Sequence, residues 1–215
     1  MPIDDLHVIN QSLSKIGSKP INALDEETSL ARQATSAYFA RRDMLLGRFP
    51  WEFAKQTLKL DQVAETTGNG FDPNEHWGNG WRHAFAMPGN RLSNPRKILT
   101  DPKRPDHPLR RFMIERGRVF ADETPLWGTF TVGAAPELWT PAFMLAAITL
   151  VAADMAVPIT QDQRLAEDLR ELGEGPREMQ GLGGLVAQAI AAEVSAHPGP
   201  PPLMMTDDLT TAHMT

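Results

Sequence analysis

The stretch LWTPAFMLAAITLVAADMA, residues 138–156, limits what this chain can fold into more than any other segment. From Leu138 to Ala153 it runs sixteen residues without a charge. Thr140 followed by Pro141 supplies a cap and then a proline at the first helical position, a favoured helix start. The apolar residues behind them point to every side of a helix, so no face is left for water. Sixteen helical residues rise only about 24 Å, against the ~30 Å hydrocarbon core of a bilayer. The segment therefore reads as a buried central helix, ended by Pro158, around which other elements have to pack.

Those elements are legible on both sides. Behind Asp4 as a cap, Leu6, Ile9, Leu13 and Ile16 fall on one helical stripe; Gly17 ends that helix and Pro20 prevents its resumption. A second helix starts at Thr28 or Ser29, with Asp25, Glu26 and Glu27 at its positive end. Its apolar side is Leu30, Ala34, Ala37, Tyr38 and Leu45, its wet side Arg41, Arg42 and Asp43, and it stops near Gly47. After the central helix, Thr160 with Gln163 offers a capping box for a helix to about Leu172. Gly173, Gly175 and Pro176 then break the chain, and a weaker helix runs to about Ala196. Gly181, Gly183 and Gly184 each cost it about 1 kcal/mol against alanine, so packing partners have to hold it.

Between the helices the texture changes. Residues 66–80, TTGNGFDPNEHWGNG, read as a surface loop, and β-like runs follow at 81–87, 112–114, 119–120 and 129–132. The RGR at 116–118 reads as a hairpin turn. Beyond His197 lies a Pro-rich tail with too little apolar material to fold alone. The expected fold is α+β, mainly α: an antiparallel helix bundle from 1–60 and 136–196, a small antiparallel β region inserted at 61–135, and an extended tail at 197–215.

Composition removes several kinds of chemistry. There is no cysteine, which excludes disulfide scaffolds, thiol nucleophiles and cysteine-ligated metals. The six histidines, at 7, 76, 83, 107, 197 and 213, show no metal-ligand spacing, and no phosphate-cradling glycine motif or nucleophile elbow occurs. No cofactor or catalytic residue is expected. Glu171, Glu174 and Glu178 lie close in sequence, yet they read better as a solvated helix face than as the carboxylates of a glycoside hydrolase. Trp77, Trp81, Arg82, His83 and Phe85 interleave rings and cations as base-stacking surfaces do. Strand packing is the preferred account, with Trp81, Phe85 and Met87 inward and Arg82 outward. The opening MPIDDLHVIN is acidic and lacks a long apolar run, so no export leader is expected and the chain is placed in a cytoplasm.

Charge is uneven. The net is −6 overall, but −2 over residues 1–90, +6 over 91–118 and −10 over 119–215. The basic block makes Arg110, Arg111, Arg116 and Arg118 candidate partner-binding residues, with a DNA-binding module using 91–118 as one alternative function and a peptidoglycan hydrolase as another.

Three blocks in order carry a resemblance. They are IGSKPINALDEETSLARQATSAYFARRDMLLGRFPWEFA at 16–54, WRHAFAMPGNRL at 81–92, and ADETPLWGTFTVG with LWTPAFMLAAITLVAADMAVPIT over 121–160. The chain resembles the head-to-tail adaptor, or tail tubular protein A, family of tailed bacteriophages. The resemblance implies a structural virion protein with no turnover. It implies a closed homo-oligomeric ring, expected at about twelve copies, whose interfaces are heterologous. The ring would join the portal protein to the tail tube or nozzle at the head–tail junction, with genomic DNA crossing its lumen without sequence-specific contacts. In that setting Pro201, Leu203, Met204, Met205 and Leu209 are candidate anchors for docking the tail to the portal.

Overall fold

Asp4 precedes α1 (Asp5–Lys15), which buries Val8, Ile9, Ser12 and Leu13. The computed structural model describes residues 3–63, 81–176, 178 and 183–196. The expected 66–80 loop and 197–215 tail lie outside the described residues. Gly17, at φ 70°, closes α1: Ser18 N–H donates to Leu13 O at 3.0 Å and Gly17 N–H to Ser14 O at 3.1 Å. That pair of bonds satisfies the last carbonyls of a glycine-terminated helix.

Thr28 Oγ1 accepts from Ala31 N–H at 3.1 Å and starts α2 (Ser29–Arg48), whose buried residues include Ala31, Ala34, Tyr38, Leu45 and Leu46. The wet side expected at 41–43 is corrected here: all three residues are half-buried. The Arg42 guanidinium lies 4.7 Å from the Phe39 ring centre and 5.8 Å from that of Tyr38, and pairs with Asp43 at 2.9 Å. A long cationic side chain can cover apolar rings while its head finds a carboxylate, which a purely periodic reading misses.

A short turn over Glu52–Ala54 leads into two antiparallel sheets. One has the order β1 (Lys55–Lys59), β7 (Trp127–Thr131), β4 (Lys97–Leu99). The other has the order β2 (Asp61–Gln62), β3 (His83–Ala86), β6 (Arg118–Ala121), β5 (Met113–Glu115). Leu60, Phe85, Met87, Ile98, Val119, Leu126 and Phe130 form a shared core between them. The β5–β6 hairpin pairs Glu115 with Arg118 across Arg116 (φ 47°) and Gly117 (φ 77°), a two-residue turn whose positive φ values match strand twist. Phe85 and Met87 are buried and Arg82 is exposed, but Trp81 is only half-buried. β1 and β4 were not anticipated, because KQTLK is mostly polar and KIL is three residues long.

Helix outweighs strand, and the fold is α+β, mainly α. Thr140 caps α3 (Pro141–Met155), accepting from Phe143 N–H at 3.4 Å. Nine of its residues are buried, among them Phe143, Leu150 and Met155, as expected for the central helix, but Leu145 is exposed, so one side does meet water. Pro158 does not end it. A wider π turn over Ala156–Thr160 carries the helix past the proline, and Gln161 at φ 57° terminates it. Proline lacks an N–H and crowds the carbonyl four residues back, and widening the turn relieves both problems. Pro141–Thr160 is thus twenty residues, with mean hydropathy 2.0, long and apolar enough to cross a membrane by length and composition alone. More than half of it is buried within the protein, which is what a core helix does.

α4 (Gln163–Glu174) is capped by Asp162, whose Oδ1 accepts from Leu165 N–H at 2.9 Å. The expected Thr160–Gln163 box does not form, because Thr160 Oγ1 donates back to Ala156 O at 2.7 Å. α5 (Gly184–Ala196) follows. Its glycines are not simply weak points, as expected from propensity: a Cβ on Gly184, at φ 55°, would meet Leu172 O at 2.4 Å, and one on Gly175 would meet Gly183 Cα at 2.8 Å. The glycines let the end of α4 and the start of α5 cross backbone to backbone. α3, α4 and α5 pack on one another, and Ser12 Oγ of α1 donates to Ile148 O of α3 at 3.1 Å.

The described residues fall into two compact units, one within 1–5 and 35–139, the other within 6–34 and 140–215. These limits differ from the boundaries drawn at 60/61 and 135/136. The later part of α2 belongs with the sheets, because Trp51 Nε1 donates to Leu45 O at 2.9 Å and Gly47 runs close against Leu92 O.

Candidate functional site

The four arginines singled out from the basic block sit on or beside the β5–β6 hairpin, at the outer side of the four-stranded sheet. Arg110 and Arg111 precede β5 and are exposed. Arg111 Nη2 reaches Asp122 Oδ2 at 3.5 Å, and its guanidinium lies 5.3 Å from the Trp81 ring centre. Asp122 also accepts the Arg82 N–H at 3.3 Å, so Trp81, Arg82, Arg111 and Asp122 form one small cluster. Arg116 stands at the hairpin tip with its side chain 91% exposed and Glu115 at 3.9 Å. Arg118 opens β6 and is half-buried. The arginines thus line one hairpin without converging on a common point. The other candidates, Pro201, Leu203, Met204, Met205 and Leu209, lie outside the described residues.

The carboxylates of the hydrolase alternative come together more than sequence suggested. Glu171, Glu174 and Glu178, with Glu167 and Arg170, line a cleft of about 560 Å³ at the end of α4. Glu171 and Glu178 are exposed and Glu174 is half-buried. A general acid needs an apolar, water-poor surrounding that holds its proton, and five of the seven described residues lining this cleft are charged. Among the described residues, no group of three or more histidine and acidic side chains is placed to hold a metal ion.

A second surface escaped the sequence reading. Side chains alternate along strands, and the register places Lys55, Thr57 and Lys59 of β1 on one face with Trp127 and Thr129 of β7 and Lys97 and Leu99 of β4. The opposite face carries Ile98 and Phe130, which enter the core. Thr57 Oγ1 and Thr129 Oγ1 are 2.9 Å apart across the strands. At one end Arg96 is held by Trp51 O at 2.7 Å, Glu52 Oε1 at 3.2 Å and Thr131 Oγ1 at 3.2 Å. Glu52 also pairs with Lys55. Pro102 and Pro105 wall the other side, with Lys97 Nζ donating to Pro105 O at 3.4 Å, and the enclosed cleft measures about 470 Å³. The alternation in KQTLK is polar on both faces, so no amphipathic signal marked this strand.

No protein-family model and no curated protein matches the chain.

Proposed function

We propose that the chain is a structural head-to-tail adaptor of a tailed-bacteriophage virion. The observation that carries this reading is the order and spacing of the three sequence blocks across residues 16–160. The residues within those blocks serve architecture. Trp51 and Trp139 are buried, with their indole N–H groups donating to Leu45 O at 2.9 Å and Ala134 O at 3.0 Å. The Thr-Pro pair starts the central helix, and Gly17 closes the first. Side chains spent on joints and core suit a protein that acts through shape.

In this reading copies associate through heterologous contacts that close into a ring of about twelve. Each contact needs roughly 1,200–2,000 Å² of buried surface to be stable. The ring takes the portal on one side and the tail tube or nozzle on the other, and DNA passes through. The charged β5–β6 hairpin is a candidate contact with neighbouring protein.

Electron microscopy of the purified protein, alone and mixed with the portal protein of the same virus, tests this directly. A ring with a central hole, seated on the portal, is the expected image. A chain that stays monomeric and leaves the portal bare overturns the proposal, as does clearing of cell-wall material in a zymogram.

A further inference from the structure

We propose that the lysine-bearing face of the three-stranded sheet is a binding site for single-stranded nucleic acid, with phosphates on Lys55, Lys59 and Lys97 and a base stacked on Trp127. The inference stands apart from the adaptor reading and rests on four observations. First, the cleft holds four cations, the three lysines and Arg96, against one carboxylate, Glu52. Lys59 has no carboxylate partner among the described residues.

Second, Trp127 is half-buried in the cleft, and its side chain has no ring, cation or hydrogen-bond partner among the described residues. Trp51 and Trp139 each satisfy their indole N–H on a backbone carbonyl. A large ring left unpartnered beside cations is the composition with which proteins hold unpaired strands: charge follows the backbone and the aromatic face takes a base. An acidic peptide would use the cations but has no need of the ring.

Third, the row Lys97, Thr129, Thr57 crosses the sheet beside the row Leu99, Trp127, Lys59. Leu99 and Thr129 are themselves buried, so what lies open is a narrow strip along β1 with Trp127 and Lys97, suited to one strand rather than a duplex. With Thr129 buried and its Oγ1 donating to Thr57 Oγ1, the exposed Thr57 hydroxyl keeps its own proton to donate to a phosphate oxygen. Fourth, the volume of about 470 Å³ falls within the ~300–1,000 Å³ typical of ligand clefts. The β4 and β7 strands of this sheet rest on the core through Ile98 and Phe130.

Fluorescence anisotropy of a labelled oligothymidylate with the full chain is the test. At about 50 mM salt saturable binding is expected, weakening as salt rises. Lys59→Gln with Lys97→Gln should lower affinity at least about tenfold and flatten the log–log salt slope by about 1.4, at ~0.7 per phosphate contact on single strands. Trp127→Ala should weaken binding about fivefold or more and abolish ligand-induced quenching of tryptophan emission. Circular dichroism of each variant establishes that it is folded, and Lys15→Gln with Lys19→Gln, exposed lysines in the other unit, should leave binding unchanged. No binding at low salt, an unaltered slope in the folded lysine variant, equal affinity for the duplex, or displacement of the oligonucleotide by a polyglutamate peptide at equal concentration would each overturn the proposal.

Discussion

At the scale of single residues, Tyr38 shows how a helix residue placed for its apolar ring acquires an electrostatic role. It is wholly buried, and its hydroxyl donates to Asp5 Oδ1, with Arg42 close by. Burial first, then the hydrogen bond to Asp5 and its negative charge, push the phenol well above its ordinary range, and Arg42 offsets only part of this. The unfolded chain ionises Tyr38 near pH 10 while the folded chain keeps the proton. Above that pH the unfolded state binds fewer protons, so stability falls as pH rises; below it the tyrosine adds no slope. Because Tyr38 is the only tyrosine, an ultraviolet titration reads it alone. Tyrosinate should appear only as the protein unfolds. Tyr38→Phe should remove the tyrosine's share of the alkaline loss of stability while destabilising at neutral pH by about 1.5–3 kcal/mol, the range for a hydrogen bond to a charged group.

At the scale of elements, two joints in the helical unit yield contrasting expectations. Asp162 makes the cap of α4, so Asp162→Ala should lower stability by about 1 kcal/mol in thermal melts. Gln163→Ala should be near neutral if no capping box exists there, because its amide reaches only the exposed Glu167 at 3.2 Å. Gly184→Ala combines a positive φ with a backbone oxygen 2.4 Å from the new Cβ, and should cost more than about 1 kcal/mol. Gly89→Ala meets nothing within 4 Å and should lie within about 0.5 kcal/mol of the parent. Equal melting temperatures for the two alanine variants would show that the α4–α5 crossing does not need its glycine.

For the whole molecule, the uneven charge becomes a statement about assembly. If the adaptor reading holds, replacing Arg110, Arg111, Arg116 and Arg118 by glutamine should block ring formation, read by sedimentation, while leaving the monomer's melting temperature within a few degrees. Three of these side chains are exposed, so their loss removes little packing. A chain ending at residue 196 should still form rings but fail to co-sediment with the portal, since it lacks Pro201, Leu203, Met204, Met205 and Leu209. Retained attachment would dismiss the tail as an anchor.

Local chemistry was enough to place the helices and the hairpin. Gly17, Thr28 and the Thr140–Pro141 pair act within a turn of themselves, and the RGR turn needs only two residues with positive φ. The buried character of α3 was equally legible, because a segment apolar on every side has one stable surrounding. Other features depend on how neighbouring side chains compete or on partners far along the chain. Asp162 caps in place of Thr160 because the π turn absorbs Pro158 and draws the threonine hydroxyl back to Ala156. Arg42 turns inward because Phe39, Asp43 and Asp5 together surround it. The cationic sheet face exists only through pairing: Lys59, Trp127 and Leu99 are separated by up to 68 positions and become neighbours by strand register. Period-two alternation reveals a strand when one of its faces is buried and the other wet; β1, polar along nearly its whole length, acquires its two faces from β7.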